Sequence, residues 1–409
     1  MVSSSELISP VGAETASTAA APAAAYVHIP FCRRRCFYCD FPIAVIGERQ
    51  RGETSPGIQS YVDWLCREIL ATPSLGRPLE TIFFGGGTPS LLSVAQVDQV
   101  LQTLAQQFGL TNRPEISMEM DPATFDRSHL SGYTSLGISR ISLGVQAFQD
   151  ELLERCGRFH RRQDVDRAIE LVQGVPSWSL DLMSGLPGQT LDQWQQSLDA
   201  AIAAAPSHLS VYDLVIEPQT PFGKQYRPGE PPLPSESQTV AMYRQAQAAL
   251  TAAGYDHYEI SNYARPGHRC RHNLTYWRNQ PFYGFGMGAT SYVGHCRMAR
   301  PRTRETYRQW VAAYEAAGGQ ATSNPEPPRE QLTDGLMVGL RLAEGVALEP
   351  LVSQLGPEFL PMVRRRLAPY LEAGQVVLTA KRLRLSDPDG FLVSNTVLVE
   401  LFNGIDDLG

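Results

Sequence analysis

The chain has 409 residues, of which 43% are hydrophobic and 19% are charged, and its formal net charge is −7. This length and composition predict a globular protein of two or three domains with a well-buried core. The negative charge argues against nucleic acid as a main partner, because phosphate contacts need a basic face. No apolar run approaches the roughly 18 residues of a membrane span.

The first 25 residues are rich in Ala and Ser, contain Glu6 and Glu14, and lack Lys and Arg. A transit peptide would be basic, and a signal peptide would have a basic start and an apolar stretch. We therefore expect residues 1–25 to form a disordered tail and the protein to be cytoplasmic. Seven cysteines, an odd number with three of them clustered, fit a reducing compartment better than a disulfide framework.

From residue 26 onward, short β-type runs alternate with stretches of helical period. Helices are predicted at 61–70 and 91–108, where apolar residues fall on one face. The predicted strands cover residues 26–29, 81–84, 115–118, 140–143, 177–183 and 208–215. Strands that alternate with helices in this way predict βαβ units and a parallel sheet or partial barrel. Chemistry in such folds collects beyond the carboxyl ends of the strands.

The proline-rich segment 227–236 predicts a boundary, so we assign 26–230 to the barrel and 231–322 to a region that packs on it. A helix is predicted at 237–254. The last module, 323–409, begins after a second proline-rich segment and has a helix–hairpin–helix pattern that predicts a winged-helix-like α+β fold. Recognition helices normally come with a basic surface, so the acidic charge argues against DNA binding.

Three cysteines, Cys32, Cys36 and Cys39, lie within the stretch YVHIPFCRRRCFYCDFP. Thiolates select zinc or iron–sulfur clusters. Structural zinc takes four ligands, and the nearby His28 could be the fourth, so zinc stays an alternative. Ordinary four-iron clusters also take four thiolates. Three cysteines therefore leave one iron open to a ligand that is not protein.

The pattern C-x3-C-x-aromatic-C, with Tyr38 as its aromatic residue, resembles the motif of the radical S-adenosylmethionine (SAM) superfamily. The resemblance implies an α/β fold with a radical SAM partial (β/α)6 barrel and a [4Fe-4S] cluster bound by the three cysteines. It also implies that the amine and carboxylate of SAM occupy the open iron, and that an electron from the cluster cleaves SAM to a 5′-deoxyadenosyl radical.

A glycine run, FFGGGTPS (83–90), follows the second predicted strand. Glycines allow close backbone approach to a ligand, and their N–H groups can bind a carboxylate. A tight turn is the simpler interpretation of such a run alone. By resemblance, Gly86, Gly87 and Thr88 contact the methionyl end of SAM.

Polar residues also occur at the ends of the next three predicted strands, namely Glu119, Gln146 and Asp181. Each alone could be an ordinary buried polar residue, but their recurrence at one end of a sheet favours a site. By resemblance to the coproporphyrinogen oxidase branch, the positions that contact SAM are Tyr26, Tyr38, Glu119, Gln146, Arg158 and Asp181.

The segments SLGVQAFQDELLERCGRFH, DLMSGLPGQT and PFYGFGMGATSYV resemble the family that contains oxygen-independent coproporphyrinogen III oxidase and the HemW-type haem chaperones. The resemblance extends from Tyr26 to Phe402. The oxidases have a further cysteine where this chain has Phe41, so the sequence YCDF is HemW-like. HemW-like sequences usually have Asn at the position of Asp121, which matches the oxidases instead.

A second discriminating feature is CRHNLTYW (270–277), which contains the H-N-x-x-Y-W motif of HemW-type proteins. Imidazole is a competent ligand of haem iron, so His272 is a candidate ligand and Cys270 is a competing one. The alternative is that His272 is a packed histidine.

The resemblance implies a chaperone of porphyrin metabolism that binds haem, the cluster and SAM and passes haem to an acceptor protein, which could be respiratory and membrane-attached. The alternatives are an oxygen-independent coproporphyrinogen III oxidase, whose decarboxylase activity we do not expect here, and a structural zinc protein. Arg33, Arg34 and Arg35 could dock a flavodoxin- or ferredoxin-like electron donor or form a solvated basic loop.

Overall fold

The computed structural model describes residues 21–48, 50–320 and 325–408. The first 20 residues of the predicted tail lie outside this part of the chain. The strands of the described residues are β1 Ala24–Ile29, β2 Phe31–Cys32, β3 Ala44–Val45, β4 Leu79–Gly86, β5 Leu110–Met120, β6 Arg140–Gln146, β7 Ser177–Ser184, β8 His208–Asp213, β9 Asp256–Glu259, β10 Asn262–Ala264, β11 Tyr283–Phe285, β12 Thr290–Val293, β13 Cys296–Ala299, β14 Val346–Ala347, β15 Val376–Leu378 and β16 Arg382–Leu385.

The helices of the same residues are α1 Pro56–Ala71, α2 Val94–Phe108, α3 Arg127–Ser135, α4 Asp150–Arg155, α5 Arg162–Val172, α6 Leu191–Ala204, α7 Pro221–Gln225, α8 Glu236–Ala252, α9 Arg271–Trp277, α10 Arg304–Ala316, α11 Pro328–Gly339, α12 Leu348–Leu355, α13 Phe359–Arg366, α14 Ala368–Glu372, α15 Asp389–Leu392 and α16 Ser394–Asp406. None of these helices combines the length and apolar character that a bilayer span requires.

One large sheet has the strand order β11-β1-β4-β5-β6-β7-β8-β10-β9. The strands from β11 to β8 pair in parallel, whereas β10 and β9 are antiparallel additions at the far edge. The six predicted strands form the continuous parallel part from β1 to β8. The α/β partial barrel is thereby confirmed, and its carboxyl ends meet at one rim.

Local sequence signals explain where the covering helices begin and end. Helices α2, α6 and α8 each start with a capping box, formed by Ser93, Thr190 and Ser235 with a glutamine three residues on. Helix α2 ends at Gly109, whose φ of +73° suits glycine. The apolar faces of these helices pack on the outer side of the sheet and form the largest core.

Two predicted boundaries differ from the structure. Strand β1 starts at Ala24, and Ala24 and Ala25 are buried, so the expected tail of 1–25 ends before residue 24. Region 231–322 does more than pack on the barrel, because it supplies β9, β10 and β11 to the same sheet. These strands are only three or four residues long, which is too short for a clear alternating pattern.

The C-terminal module comprises helices α11 to α16 and the three-stranded antiparallel sheet β14-β16-β15, with its own hydrophobic core. This order of helices followed by a hairpin and a last helix is the predicted winged-helix-like arrangement. The module contacts the barrel edge through the bond from Ile260 N to Arg341 O, of 2.9 Å, and through His257 Nδ1, 2.8 Å from Asp387 Oδ1.

Candidate cofactor site

A cavity of about 470 Å³ lies at the carboxyl ends of the parallel strands. The clustered cysteines Cys32, Cys36 and Cys39 all line it. Eight of the nine predicted SAM residues line it as well, and these are Tyr38, Gly86, Gly87, Thr88, Glu119, Gln146, Arg158 and Asp181. The fold thus brings together residues that are spread over 150 positions of the sequence.

The ninth residue, Tyr26, lines a neighbouring cavity of about 230 Å³ inside the barrel. Five residues line both cavities, namely Phe41, Gly86, Glu119, Asp181 and Tyr212. The hydroxyl of Tyr26 lies 3.0 Å from Nδ1 of His28, and Nε2 of His28 lies 3.0 Å from the carbonyl oxygen of Pro42. Because both ring nitrogens of His28 have protein partners, the arrangement gives no support to His28 as a fourth zinc ligand.

The cysteine-bearing loop between β2 and β3 is fixed by its own backbone and by arginines. Cys39 N donates to Cys36 O, at 3.2 Å, and Arg35 Nη1 donates to Cys39 O and Phe41 O, each at 3.1 Å. Arg33 Nη1 donates to Ala123 O at 2.9 Å, whereas Arg34 is exposed and paired with Glu48. Two of the three consecutive arginines therefore hold the loop in place.

Two polar side chains approach the cysteine sulfurs. Thr88 Oγ1 donates to Cys32 Sγ at 3.6 Å, and Arg158 Nη1 donates to Cys36 Sγ at 3.4 Å. Burial raises the pKa of Cys32 to about 12, although the Thr88 bond acts in the opposite direction, and burial also raises the pKa of Cys39. Stable thiolates here therefore need a positive partner, which iron supplies.

No group of three His, Cys, Asp or Glu side chains in the described residues is arranged to hold a single metal ion. A four-iron cluster makes a different demand, because each of its thiolates binds a separate iron. The residues fit such a cluster in their donor set, with three cysteines on one loop facing one cavity beside a buried cation.

Arg158 forms a buried ion pair at the cavity wall. Its Nη2 lies 2.7 Å from Asp121 Oδ2, and Nδ1 of the buried His160 lies 3.3 Å from Asp121 Oδ1. Burial opposes ionisation of Asp121, but Arg158 and His160 outweigh it and hold the pKa of Asp121 well below its usual range. Asp121 therefore stays charged and fixes the guanidinium beside Cys36.

Glu119 and Asp181 have no such cation. Burial raises the pKa of Glu119 to about 7, and repulsion from Asp181 adds to the shift, although Gly86 N donates to Glu119 Oε2 at 3.0 Å. Burial likewise raises the pKa of Asp181 to about 6, against a hydrogen bond from Ser142 of 2.8 Å. The cavity is lined by five carboxyl groups and three arginines, so it suits a ligand that carries positive charge.

The glycine run contributes shape. Gly86 has φ of +107°, and a Cβ there would lie 2.4 Å from the His28 ring, while a Cβ at Gly87 would lie 2.7 Å from Phe31 O. In this conformation these N–H groups have protein acceptors, so the binding of a ligand carboxylate by them stays a prediction. Gly86 N, Gly87 N and Thr88 N already donate to Glu119, Ile29 O and Phe31 O.

Gln146 reaches the cavity from a strained backbone. Its φ is +70°, which is rare for a residue with a Cβ and carries an energy of order 1–3 kcal/mol. Strain of this kind persists where the surroundings impose it, and Gln146 sits where β6 ends at the cavity.

The haem candidates lie on α9 and its cap, toward the amino ends of the strands, and Cys270 also lines the interior cavity that adjoins the cofactor cavity. His272 is fully buried, with Nδ1 2.8 Å from Thr81 Oγ1 and Nε2 2.7 Å from Tyr276 Oη. It also stacks on Phe83, with ring centroids 5.3 Å apart. In this conformation both ring nitrogens have hydrogen-bond partners, as expected if His272 is a packed histidine.

Cys270 is 3% exposed, and its sulfur lies 3.8 Å from Glu115 Oε1. Burial, followed by the charge of Glu115, raises the pKa of Cys270 to about 12. The residue is therefore a thiol in this environment, whereas iron binding requires a thiolate.

Several residues of the cavity were not identified from the sequence, among them Met120, Met183 and Tyr212. Tyr212 follows His208 and Ser210 at alternate positions of β8, so the inward period of that strand could have indicated it. The methionines offer no comparable signal, because an apolar residue near a strand end is ordinary.

Two family models match the chain. The model of the radical SAM superfamily matches residues 26–201, and the model of the HemN C-terminal domain matches residues 327–392. The second match coincides with the C-terminal module.

Curated relatives match over most of their length. The chain is 47% identical to the heme chaperone HemW of Synechocystis sp., covering 94% of this chain and 98% of the relative. It is 35% identical to the heme chaperone HemW of Bacillus subtilis, covering 81% and 86%. It is 31% identical to the mitochondrial radical S-adenosyl methionine domain-containing protein 1 of Bos taurus, covering 93% and 87%.

Among solved structures, the coproporphyrinogen III oxidase HemN from Escherichia coli superimposes with a TM-score of 0.78. It covers 93% of this chain and 90% of the oxidase at 23% sequence identity. At that identity, the likeness establishes the shared fold.

Proposed function

Because this chain belongs to the HemW family of heme chaperones within the radical SAM superfamily, we propose that it binds a [4Fe-4S] cluster, SAM and haem and transfers haem to an acceptor protein. The observation that carries the proposal is the single cavity that brings together three cysteines and eight of the nine expected SAM residues. The family relationship to heme chaperones supports the haem part.

In this proposal Cys32, Cys36 and Cys39 hold the cluster, which supplies the electron for reductive cleavage of SAM when both are bound. Arg158 stays cationic through Asp121 and offsets the negative charge of the thiolates. Tyr38 lies between Cys36 and Cys39 in the sequence and closes the same side of the cavity.

Glu119 and Asp181 would receive the positively charged parts of SAM. Their pKa values are raised because both carboxyl groups are buried without an ion-pair partner, and the charge of Arg158 offsets the shift of Asp181 only in part. A bound cation relieves this. Gln146 and the Gly86–Gly87–Thr88 turn would complete the polar wall, with Thr88 offering a hydroxyl. Tyr26 would contribute from below, through its position beside Glu119 in the adjoining cavity.

His272 and Cys270 remain our candidates for the haem ligand. Coordination by His272 requires that Thr81 or Tyr276 release one ring nitrogen. Coordination by Cys270 requires loss of a proton next to Glu115. Haem binding at α9 therefore involves a local rearrangement of this helix.

The test is anaerobic reconstitution followed by measurement of iron, sulfide and SAM binding. We expect cluster and SAM in the wild type, loss of both in Cys36→Ser, and retention of both in Cys66→Ala, which removes a buried thiol outside the cavity. Zinc without iron, or equal effects of the two variants, would overturn the cluster assignment.

The same sample distinguishes the enzyme alternative. Incubation with coproporphyrinogen III, SAM and a reductant should give no decarboxylated product. Turnover would identify the chain as an oxidase. Asp121, which pairs with Arg158 and matches the oxidases at this position, would then be the first residue to substitute.

A further inference from the structure

The outward side of α9 has no role in the proposed function. Its residues Arg271, Leu274, Thr275 and Arg278 line a cavity of about 320 Å³ at the amino ends of the strands, opposite the cofactor site. Arg77 and Glu80, at the start of β4, form the facing wall.

The charged residues that line this cavity are mostly cationic, unlike those of three other cavities among the described residues. It is lined by three arginines and one glutamate. The cofactor cavity has three arginines and five carboxyl groups, the barrel interior has one arginine and two carboxyl groups, and a fourth cavity has two of each. On a chain of net charge −7, this cavity is the cationic one of the four, and it therefore favours an anionic ligand.

The arginines are available for exchange of partner. Arg77 and Arg271 share the carboxylate of Glu80, at 2.7 and 3.2 Å, and Arg278 pairs with Glu344 at 3.3 Å. Their side chains are 41–49% exposed. Exposed ion pairs contribute little to stability, so a ligand carboxylate can replace a glutamate at little loss.

The arrangement of charge on α9 suits a ligand with two carboxylates. Arg271 is the first residue of α9, and Arg278, seven residues on, caps its carboxyl end, which places the two on one side of the helix about 10 Å apart along its axis. Leu274 lies between them, and Ala24 and Pro281 add apolar surface to the same cavity. A guanidinium at each end of an apolar surface matches an apolar ring system that carries acidic side chains.

We infer that this cavity binds the carboxylate edge of an anionic tetrapyrrole and that Arg271 and Arg278, assisted by Arg77, pair with its propionates. The inference deepens the proposed function and rests on its haem-binding part. A volume of about 320 Å³ is at the small end of ligand sites, which run from about 300 to 1,000 Å³, so the cavity holds the edge and the macrocycle extends beyond it.

The position relative to His272 supports this assignment. Thr81 lines the cavity, and its hydroxyl is the group that bonds Nδ1 of His272 at 2.8 Å. A tetrapyrrole anchored by its carboxylates therefore lies one side chain away from the candidate iron ligand.

The experiment titrates the full-length reconstituted protein with metal-free mesoporphyrin IX and with its dimethyl ester, which lacks the carboxylates, by fluorescence. The variant Arg271→Gln/Arg278→Gln should bind the diacid at least about tenfold more weakly than wild type and the ester equally well. The matched control is Arg308→Gln, which removes an equally exposed, ion-paired arginine from α10. Circular dichroism confirms that each variant is folded.

Equal diacid affinity in wild type and double variant, or equal wild-type affinity for diacid and ester, overturns the inference and leaves haem binding intact. Absence of saturable binding of porphyrin and of ferric haem by the wild type overturns the inference together with the haem part of the proposed function.

Discussion

The buried carboxyl groups Glu119 and Asp181 give the cofactor cavity its most specific electrostatic property. Neither has a cationic partner in the described part of the chain, and both pKa values lie near neutrality because of burial. By contrast, Asp121 in the same cavity is held ionised by Arg158. A site with one satisfied and two unsatisfied carboxyl groups is prepared for a cationic ligand.

This property predicts a pH dependence of SAM binding. Below pH 7 the Glu119 carboxyl is mostly protonated, and it must lose this proton to form an ion pair with a cationic ligand. SAM affinity should therefore fall by roughly tenfold between pH 7.5 and pH 6. The measurement is equilibrium dialysis of SAM against reconstituted protein across this range.

Glu119→Gln provides the control, because it keeps an acceptor for Gly86 N and removes the titration. Its affinity should be lower at pH 7.5 and its pH profile flatter. The pKa of Asp181, raised to about 6 by burial, contributes the same titration at the acid end of the range in both proteins, so the difference between the two profiles reports Glu119. Equal slopes in wild type and variant would show that Glu119 does not receive the ligand.

The sequence predicts which side chains line the cofactor cavity, and the structure adds the residues that bond to them. Cysteine spacing and strand-end position identified most of the residues around the cofactor cavity. The hydroxyl of Thr81, which bonds Nδ1 of His272, could not be identified, because Thr81 is 191 positions away and nothing local marks the pair. Partner assignments of this kind depend on tertiary packing.

The segment from β11 to β13 clamps the cysteine loop. Glu68 on α1 accepts from Gly286 N at 2.9 Å and from Arg300 Nε at 2.8 Å, and both side chains are fully buried. This network holds Gly288 against the loop, since a Cβ there would lie 2.1 Å from Pro42 Cγ. The glycines of GFGMG therefore allow the close contact that positions the cluster ligands.

Gly288→Ala should displace the cysteine loop. The added methyl group overlaps Pro42, and overpacking of this kind typically destabilises a protein by about 1–3 kcal/mol. We expect less iron and sulfide per chain after reconstitution and a lower midpoint of denaturant unfolding.

Gly267→Ala is the matched control, because Gly267 has a similar positive φ, +85°, and open space where the Cβ would be. This variant should lower the midpoint of unfolding through backbone strain and keep the iron and sulfide content of the wild type. If both variants retain the same iron content, the contact with Pro42 does not position the loop.

Elements with a strong repeating pattern were predicted well, and short ones were not. Helix α2 was expected at 91–108 and occurs at Val94–Phe108, and strand β6 was expected at 140–143 and occurs at Arg140–Gln146. Strands β2 and β3 have two residues each, and they exist because the cysteine loop folds back on itself through Ala44 N to Pro30 O. No periodicity is measurable over two residues.

At the scale of the whole molecule, the cluster cysteines and His272 lie at opposite ends of one barrel. The cofactor cavity opens at the carboxyl ends of the strands, and α9 closes the amino ends, where His272 contacts Thr81 near the start of β4. The sheet needs β11, nearly 260 residues after β1, to complete the edge next to this helix. This separation predicts that haem and SAM occupy the protein at the same time.

The most direct test is a titration of ferric haem into the anaerobically reconstituted protein at saturating SAM, followed by Soret absorbance with iron and SAM content measured in the same sample. We predict saturable haem binding with the cluster and the bound SAM unchanged. Absence of saturable binding, or displacement of SAM by haem, would contradict it.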